Sequence, residues 1–540
     1  MKKNVLALSI SAALCGMGMV GSAYAITDLG VAGTVGAATL LRANQDGVGH
    51  SAIIPYYTAQ TKNATAITLT NTTSIGKAVK VRFRGAENSD DILDFQVFLS
   101  PFDVWTASVS QSDTGEGSIT TNDKSCTKPA FPAGLPVKFK TNRLNSATNT
   151  AGTREGYVEI FNMADVRPGT ALATSIIHVA GVPPCSGASW NALDTDSTGA
   201  VYTALGLDLP TTGLVANWII INTALGNSYS GQANATQGLT AAGFPSTANL
   251  RYWPQLGTSL GINVSGWTAD PLFTGTAPSV NATMQDLPDM STPAIAGLAP
   301  NAGVNFNSPA AYTALDNQYA AKVQASKLTE SLAVLTVNND FYNDTNGKTD
   351  WVFTMPTRRY NAAVQYSPLA IIRTNYATSD ALVPGTFGPS TSTINPNSIL
   401  NYFDTNNTAL AGNVICVSGI TSNVYNREEG AKAISGVDFS PSNVATAQSF
   451  CGEAGVWALD QNLPATGAVT AVLSGGIPNV AQGVGINSFT SGWLNVATPG
   501  IGGKGLPVIG FSFSKASENP AKSYGWAHPH TTTRVPTFVY

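Results

Sequence analysis

The chain has 540 residues, of which 28 are Lys or Arg and 32 are Asp or Glu, so charged residues make up only 11%. Ordinary globular proteins carry roughly 25% charged residues. Because nucleic-acid binding requires clustered Lys and Arg, this slightly acidic composition argues against a nucleic-acid partner. Uncharged Asn, Thr, Ser, Gly and Ala must fill surface positions instead, which is more typical of secreted structural and adhesive proteins than of cytosolic enzymes.

The first residues predict a secretory signal peptide, residues 1–25. Two lysines precede an apolar run that is too short to span a membrane, and Ala23 and Ala25 offer a small-residue cleavage site. Cys15 raises the alternative of a lipoprotein signal, but the Leu directly before it is larger than the small residue that such signals need. No later run reaches about 18 apolar residues, so we expect no transmembrane span.

Short alternating segments follow between residues 53 and 110. In ATAITLTNTT, Ile67 and Leu69 are in phase, and in DILDFQVFLS so are Phe95 and Val97. A period of two residues is typical of β-strands with one apolar face. Several such strands joined by polar turns predict an antiparallel, immunoglobulin-like β-sandwich over residues 26–115.

One of these strands, AVKVRFRG, alternates apolar residues with the cations Lys80, Arg82 and Arg84. We expect the cations on the solvent face of the strand. The acidic residues that follow would lie opposite them in a hairpin and neutralise them; they are Glu87, Asp90, Asp91 and Asp94. The favoured interpretation is therefore the solvated wall of a sandwich, and the alternative is a site in which the three cations bind an anionic ligand.

Four cysteines remain after removal of the signal peptide: Cys126, Cys185, Cys416 and Cys451. An even number in an exported chain predicts two disulfides. Among the three possible connectivities we favour the pairing of sequence neighbours, Cys126 with Cys185 and Cys416 with Cys451. None of the four has the CxxC spacing of zinc or redox sites.

The rest of the chain also favours strands, which makes the predicted fold all-β with long loops and few short helices. Residues 116–330 are expected to form a β-rich region with loop excursions, longest over 232–310, and one helix near 309–325. Ser308 could cap this helix; its apolar stripe is Tyr312, Leu315, Tyr319 and Val323. Residues 331–540 are expected to form a C-terminal β-rich domain.

The segment NNDFYNDTNGKTDW is rich in the oxygen ligands that calcium prefers. The candidate ligands are Asp340, Asp344, Asn346 and Asp350. Their spacing does not satisfy an EF-hand, and Asn, Asp and Gly are also the residues of an ordinary turn. The favoured interpretation is a turn, with calcium as the alternative and no other cofactor expected.

Catalytic motifs are missing from the sequence: it has no HExxH, no P-loop and no GxSxG after a strand. We therefore assign no catalytic residue. His528 and His530 would share one side of an extended segment, which makes them a weak metal candidate. Five aromatic residues could stack on sugar rings, although such residues more often fill cores; they are Tyr56, Tyr57, Trp105, Trp190 and Trp253.

Several blocks together resemble a family of uncharacterised Gram-negative cell-surface proteins. The blocks are AVKVRFRGAENSDDILDFQVFLSPFDVWTASV, TREGYVEIFNMAD, TDWVFTMPTRRY and LPVIGFSF, and with GLVANWIIIN they are scattered over most of the chain. The resemblance implies export to the outer surface and an all-β, non-catalytic role. The family brings no catalytic residues that could be assigned here.

These observations predict an exported, non-catalytic structural protein of the cell surface that assembles with copies of itself into an envelope layer or extracellular matrix. The first alternative is an adhesin that binds surface polysaccharide. The second is an extracellular glycan hydrolase, which would need two carboxyl groups flanking the glycosidic bond. Asp90 and Asp91 are adjacent, so on a strand they would face opposite sides, which weakens them as such a pair.

Overall fold

β-Strands, nearly all of them in antiparallel pairs, account for 49% of the residues that the computed structural model describes, so the all-β prediction is confirmed. The structure describes residues 38–142, 144, 146, 148–195, 197, 199–255, 288–292, 294–295, 315–367, 370–376, 388–389, 402–428, 446–459, 470–477, 480–486, 489–519 and 522–534. The predicted signal peptide lies outside the described residues, as do most of residues 256–314.

The N-terminal half contains strands β1–β14, numbered in chain order. They are β1 (Leu40–Asn44), β2 (Ser51–Thr58), β3 (Asn63–Asn71), β4 (Gly76–Gly85), β5 (Asp91–Leu99), β6 (Val104–Gln111), β7 (Gly117–Thr120), β8 (Cys126–Lys128), β9 (Val137–Lys138), β10 (Glu155–Val166), β11 (Leu207–Asp208), β12 (Leu214–Asn222), β13 (Asn227–Gln232) and β14 (Asn234–Leu239). Apolar residues alternate with polar ones in β3, and buried residues alternate with half-buried ones in β12, as strands with one core-facing side require.

These strands form two sheets. Sheet 1 has the order β1-β14-β2-β10-β4-β5-β8, with β11 paired to β10, and sheet 2 has the order β13-β12-β3-β6-β7-β9. Strand β10 lies between β2 and β4, and β12 pairs with β3. The predicted boundary at residue 115 therefore falls inside this unit. With eight strands in one sheet and six in the other, the unit also has more strands in total than the seven to nine of an immunoglobulin domain.

The core of this unit lies between the two sheets. Val81 of β4 is the register partner of Ile160 in β10 and of Phe95 in β5, and all three side chains are buried. The ring of Phe95 lies 5.5 Å from that of Trp105 in sheet 2. The apolar phase of the alternating sequence thus faces inward, as the strand period predicts.

The C-terminal half contains strands β15–β30. They are β15 (Ala333–Val334), β16 (Thr336–Tyr342), β17 (Gly347–Thr354), β18 (Ala362–Ser367), β19 (Ala370–Tyr376), β20 (Gly388–Pro389), β21 (Thr408–Ala411), β22 (Val414–Asn426), β23 (Thr446–Cys451), β24 (Ala454–Ala458), β25 (Ala481–Gly483), β26 (Ser491–Ala497), β27 (Leu506–Pro507), β28 (Ile509–Asn519), β29 (Lys522–Pro529) and β30 (Thr531–Thr533). Sheet 3 has the order β21-β22-β26-β16-β30, with β23 paired to β22, and sheet 4 has the order β25-β24-β17-β28-β29. Two small ribbons, β15-β27 and β18-β19-β20, complete this half.

Sheet 4 has buried side chains on both of its faces. Trp351 and Phe353 of β17 belong to the core that this sheet shares with sheet 3. Phe511 and Phe513 of β28 belong to the N-terminal core, where their rings lie 5.0 and 5.6 Å from that of Trp218 in sheet 2. The two halves of the chain are therefore packed together through one shared sheet.

Helices are short and few in the described part of the chain. They are α1 (Ala171–Ile176), α2 (Ala188–Ala192), α3 (Gly199–Leu205) and α4 (Leu315–Leu332), with 3₁₀ turns at Ala151–Thr153, Arg358–Tyr360 and Ile501–Gly503. The predicted helix near 309–325 is present as α4, but it extends to Leu332, and the predicted cap Ser308 lies outside the described residues. None of the described helices combines the length and apolar composition needed to cross a membrane.

Both predicted disulfides are confirmed, with Sγ–Sγ distances of 2.04 Å for Cys126–Cys185 and 2.01 Å for Cys416–Cys451. The second bond joins register partners of the neighbouring strands β22 and β23. Disulfides persist in oxidising compartments, so these two bonds are compatible with an exported protein.

Candidate functional site

The three cations predicted on a solvent face are buried, so that expectation is wrong. Lys80, Arg82 and Arg84 are at most 2% exposed. At Lys80 the reason is that residues 251–255, predicted to belong to a surface loop, pack on this side of sheet 1. The backbone carbonyl of Trp253 there accepts a hydrogen bond from Gln96 of β5. The period of a strand indicates which residues share a face, but not what covers that face.

Acidic residues neutralise the cations from both neighbouring strands. Arg82 lies 3.4 Å from Asp91 and 3.7 Å from Asp94 of β5, and Arg84 lies 3.1 Å from Glu159 of β10. The predicted pairing with the following acids is thus present, but inside the protein. Because they are buried and already paired with carboxylates, these side chains are not accessible to a dissolved anionic ligand.

The four calcium candidates do not form one site. Asp344 accepts the backbone N–H of Asn346 at 2.8 Å, which makes it the cap of a turn. Asp350 is buried in sheet 4 and accepts the backbone N–H groups of residues 472 and 473. Asp340 lies in sheet 3. Among the described residues there is no group of three His, Cys, Asp or Glu side chains that could hold a metal ion.

His528 and His530 also differ in their surroundings. His528 is exposed. His530 Nε2 lies 3.0 Å from the carbonyl oxygen of Val352, and its ring centre lies 5.0 Å from that of Phe353. Burial lowers the pKa of His530 to about 3. His530 is therefore a neutral packing residue at neutral pH.

The five aromatic residues considered for sugar stacking are core residues. Tyr56, Tyr57, Trp105, Trp190 and Trp253 are all at most 7% exposed. The rings of Tyr56, Tyr57, Trp105 and Trp190 pack on other aromatic rings, as those of Trp190 and Phe98 do at 4.8 Å. Their burial agrees with the favoured interpretation that such residues fill cores, and it contradicts the alternative of sugar stacking, because a sugar cannot reach their faces.

A different surface carries accessible aromatic and amide side chains. It is the outer side of sheet 3, called here the open face, and consists of alternate residues of β22, β26, β16 and β30. Its members are Thr421, Asn423, Tyr425, Trp493, Asn495, Ala497, Thr336, Asn338, Asp340, Tyr342, Thr531 and Thr533. Each of these side chains is half-buried or exposed, whereas the intervening Val424, Leu494, Val496, Val337 and Phe341 are buried.

Register pairing arranges the open face in rows across the strands. One row contains Asn423, Asn495 and Asn338, and Asn495 Nδ2 donates to Asn338 Oδ1 at 2.6 Å. The next row toward the end of the sheet contains Thr336 and Thr533, whose hydroxyl groups lie 2.6 Å apart. These hydrogen bonds hold neighbouring polar side chains in fixed positions above the sheet.

An aromatic pair lies beside the amide row. The rings of Tyr425 and Trp493 are stacked, with centroids 4.5 Å apart and planes 15° from parallel. Trp493 is nevertheless 43% exposed. On the neighbouring strand β16, the register partner of Trp493 is Asp340. Asp340 has no ring, so it does not stack on the second face of the indole.

The aromatic surface continues onto the edge of sheet 4. Tyr342 of the open face meets Trp526 of β29 at 5.8 Å, and the guanidinium of Arg427 lies 5.6 Å above the Tyr342 ring. Tyr524, two residues before Trp526 on the same strand, is 63% exposed. Rings, amides, hydroxyl groups, a carboxylate and a guanidinium therefore share one continuous surface.

The sequence contains a signal for this surface. In SGWLNVA, Trp493 is in phase with Ser491 and Asn495, and out of phase with Leu494 and Val496. A Trp in the polar phase of a strand indicates an outward-facing ring. The prediction of a β-rich domain over residues 331–540 includes this segment but not the outward position of Trp493.

Comparison with known proteins identifies no relative: no protein-family model, no curated protein and no solved structure matches the chain. The resemblance to Gram-negative cell-surface proteins therefore stays a prediction.

Proposed function

We propose that this chain is an exported, non-catalytic cell-surface protein that binds polysaccharide through the open face of sheet 3. The observation that carries the proposal is the accessible Tyr425–Trp493 stack next to a hydrogen-bonded row of Asn side chains. This is the adhesin alternative of the sequence analysis, now supported by a specific surface. The aromatic residues that we now propose, Tyr425 and Trp493, are not among the five that the sequence suggested for sugar stacking.

The chemistry of the open face matches that of a sugar chain. The negative face of an aromatic ring attracts the C–H groups on the flat side of a sugar ring. Asn amides and Thr hydroxyl groups both donate and accept hydrogen bonds, as sugar hydroxyl groups do. The surface extends across the four paired strands β22, β26, β16 and β30, so it suits an extended polymer better than a monosaccharide.

The proposal can be tested by affinity gel electrophoresis in gels that contain hydroxyethyl cellulose, xylan or alginate. We expect at least one polymer to retard the purified chain. Replacing Trp493 with Ala should weaken that retardation at least about tenfold, or about 1.4 kcal/mol, because a central exposed ring contributes strongly to a binding surface. Absence of retardation by all three polymers would contradict the proposal.

A matched control is Phe244→Ala, which removes another exposed ring, 68% exposed, from the N-terminal half. This variant should bind as the unchanged chain does. If Phe244→Ala and Trp493→Ala weakened retardation equally, the effect would be a general one and the open face would not be the binding surface.

The other two functions stay predictions of the sequence. Electron microscopy of the purified chain would detect the regular arrays that self-assembly into a layer predicts. Hydrolysis would need accessible carboxyl groups, whereas Asp90 and Asp91 are 3% and 7% exposed.

A further inference from the structure

Three side chains with complementary chemistry meet on the covered side of sheet 1. Lys80 Nζ of β4 lies 2.6 Å from the amide oxygen Oε1 of Gln255. The carboxylate oxygen Oδ1 of Asp94 in β5 accepts hydrogen bonds both from Lys80 Nζ and from Gln255 Nε2. An amine, an amide and a carboxylate are thus all in mutual contact, although Lys80 and Gln255 are 175 residues apart in the chain.

We propose that Lys80 and Gln255 become joined by an intramolecular isopeptide bond, with Asp94 as the group that transfers the proton. Since a carbonyl bond is about 1.23 Å long, the Gln255 carbonyl carbon lies within about 3.8 Å of Lys80 Nζ. This is close to the separation of about 3–3.5 Å at which bound groups react. The inference does not depend on the proposed polysaccharide binding.

The reaction needs no cofactor and no external reagent. Lys80 Nζ, in its neutral form, attacks the Gln255 carbonyl carbon, so that a C–N bond forms, and the same nitrogen gives one proton to Asp94. Asp94 then gives a proton to Gln255 Nε2, the bond from the carbonyl carbon to Nε2 breaks, and ammonia leaves. One oxygen of Asp94 touches both nitrogens, which is the geometry that this proton transfer requires.

The surroundings favour the two reactive forms. Burial lowers the pKa of Lys80 despite the attraction of Asp94, which increases the share of the neutral, nucleophilic amine. Burial alone would raise the pKa of Asp94, but the protonated form of Lys80 and the guanidinium of Arg82 hold it below its usual range. The charge of Arg82 still favours the ionised carboxylate when Lys80 is neutral, so Asp94 is able to accept a proton. The side chain of Lys80 is 3% exposed, which limits competition by water.

A second buried lysine provides an internal comparison. Lys77 Nζ lies 3.0 Å from Asp165 Oδ1, and the same oxygen accepts Asn162 Nδ2 at 2.7 Å. However, the amide oxygen of Asn162 has no hydrogen-bond partner, so Lys77 is not placed at its carbonyl group. We therefore expect no isopeptide bond at Lys77, despite the same three types of side chain.

Mass spectrometry of the purified full-length chain tests the proposal. The expected intact mass is lower than the disulfide-bonded sequence mass by one ammonia, and a lysine-specific protease should leave Lys80 uncut and linked to the peptide that contains Gln255. Lys80→Arg and Asp94→Asn should each restore the sequence mass. Lys77→Arg should keep the reduced mass.

The mass of the unchanged chain is enough to test for the Lys80–Gln255 bond, even if a variant fails to fold. An intact mass equal to the sequence mass, with Lys80 found only in linear peptides, would overturn the proposal. A deficit of one water instead of one ammonia, with Lys80 linked to Asp94, would also overturn it, because the acyl group would then come from the carboxylate.

Discussion

Buried ion pairs are the main feature at the scale of single residues. Arg84 pairs with Glu159, Arg358 with Glu453 and Arg359 with Asp289, and each of these side chains is at most 4% exposed. Removing one partner of such a pair typically costs about 3–5 kcal/mol, because the other charge stays buried. The first pair therefore fixes how β4 meets β10, and the other two tie the turn at Arg358–Tyr360 to Glu453 and Asp289.

Glu87 should make the stability of the protein depend on pH. It is 6% exposed, and burial, with the nearby charge of Asp90, raises its pKa to about 7. In the unfolded chain its pKa is about 4.3, so the folded state binds the proton more tightly. The stabilisation is complete below about pH 4 and is lost as the pH rises to about 7, by up to about 3 kcal/mol.

Replacing Glu87 with Gln should remove this contribution, and urea unfolding at pH 5 and pH 8 measures it. The difference in free energy of unfolding between the two pH values should shrink in Glu87→Gln and stay unchanged in Glu330→Gln, which alters an exposed carboxylate of α4. An unchanged difference in Glu87→Gln would mean that Glu87 has an ordinary pKa.

For single residues, the sequence predicts which side chains pair with each other better than it predicts whether the pair is buried. The opposition of Arg82 to Asp94 follows from strand period and turn position, and the structure contains it. Burial of the same pair does not follow, because it depends on residues 251–255, whose sequence has no period. The same limit explains why Trp105 was considered for sugar binding and the outward Trp493 was not.

At the scale of elements, β10 is the strand whose surroundings leave the least space for a change. All its residues are buried, and it pairs with β2 on one side and β4 on the other. Gly156 is where the backbones come closest: a Cβ there would lie 1.8 Å from the carbonyl oxygen of Arg84. Because that atom belongs to the backbone, it cannot turn away as a side chain would.

Replacing Gly156 with Ala should therefore lower the free energy of unfolding by about 3 kcal/mol, the upper part of the usual range for overpacking. Urea unfolding followed by circular dichroism measures the change. Gly485→Ala is the matched control, since a Cβ at Gly485 would meet no atom within 4 Å. Equal stability of the two variants would show that β4 and β10 can separate locally at little cost.

The existence of strands was easier to predict than their partners. The predicted alternation over ATAITLTNTT and AVKVRFRG corresponds to β3 and β4. The neighbours of β4, however, include β10, about 80 residues later, and no local pattern encodes that pairing. For this reason the predicted boundary at residue 115 separates two strands, β4 and β10, that pair with each other.

At the scale of the whole molecule, sheet 4 joins the two halves. Phe513 is fully buried, and its ring lies within 6.4 Å of those of Tyr56, Trp218 and Tyr229 in the N-terminal half. Side chains that fill a contact between sheets contribute to the stability of both.

Phe513→Ala should accordingly destabilise the protein by about 3–5 kcal/mol, the usual cost of deleting a buried Phe. Urea unfolding followed by both tryptophan fluorescence and circular dichroism measures this cost. Phe244→Ala, which removes an exposed ring, should change nothing. If Phe513→Ala left the unfolding midpoint unchanged, the two halves would not stabilise each other.

The placement of β10 also determines the order in which the chain can fold. The hairpin of β4 and β5 is local and can form early, but one edge of β4 and one edge of β2 stay unpaired until Val166 is available. Pairing between segments that are distant in sequence slows folding. Strand edges that are unpaired during this time can pair with other chains. A chain of this topology therefore has a long period of vulnerability to aggregation, during which a chaperone that shields strand edges would raise the yield of folded protein.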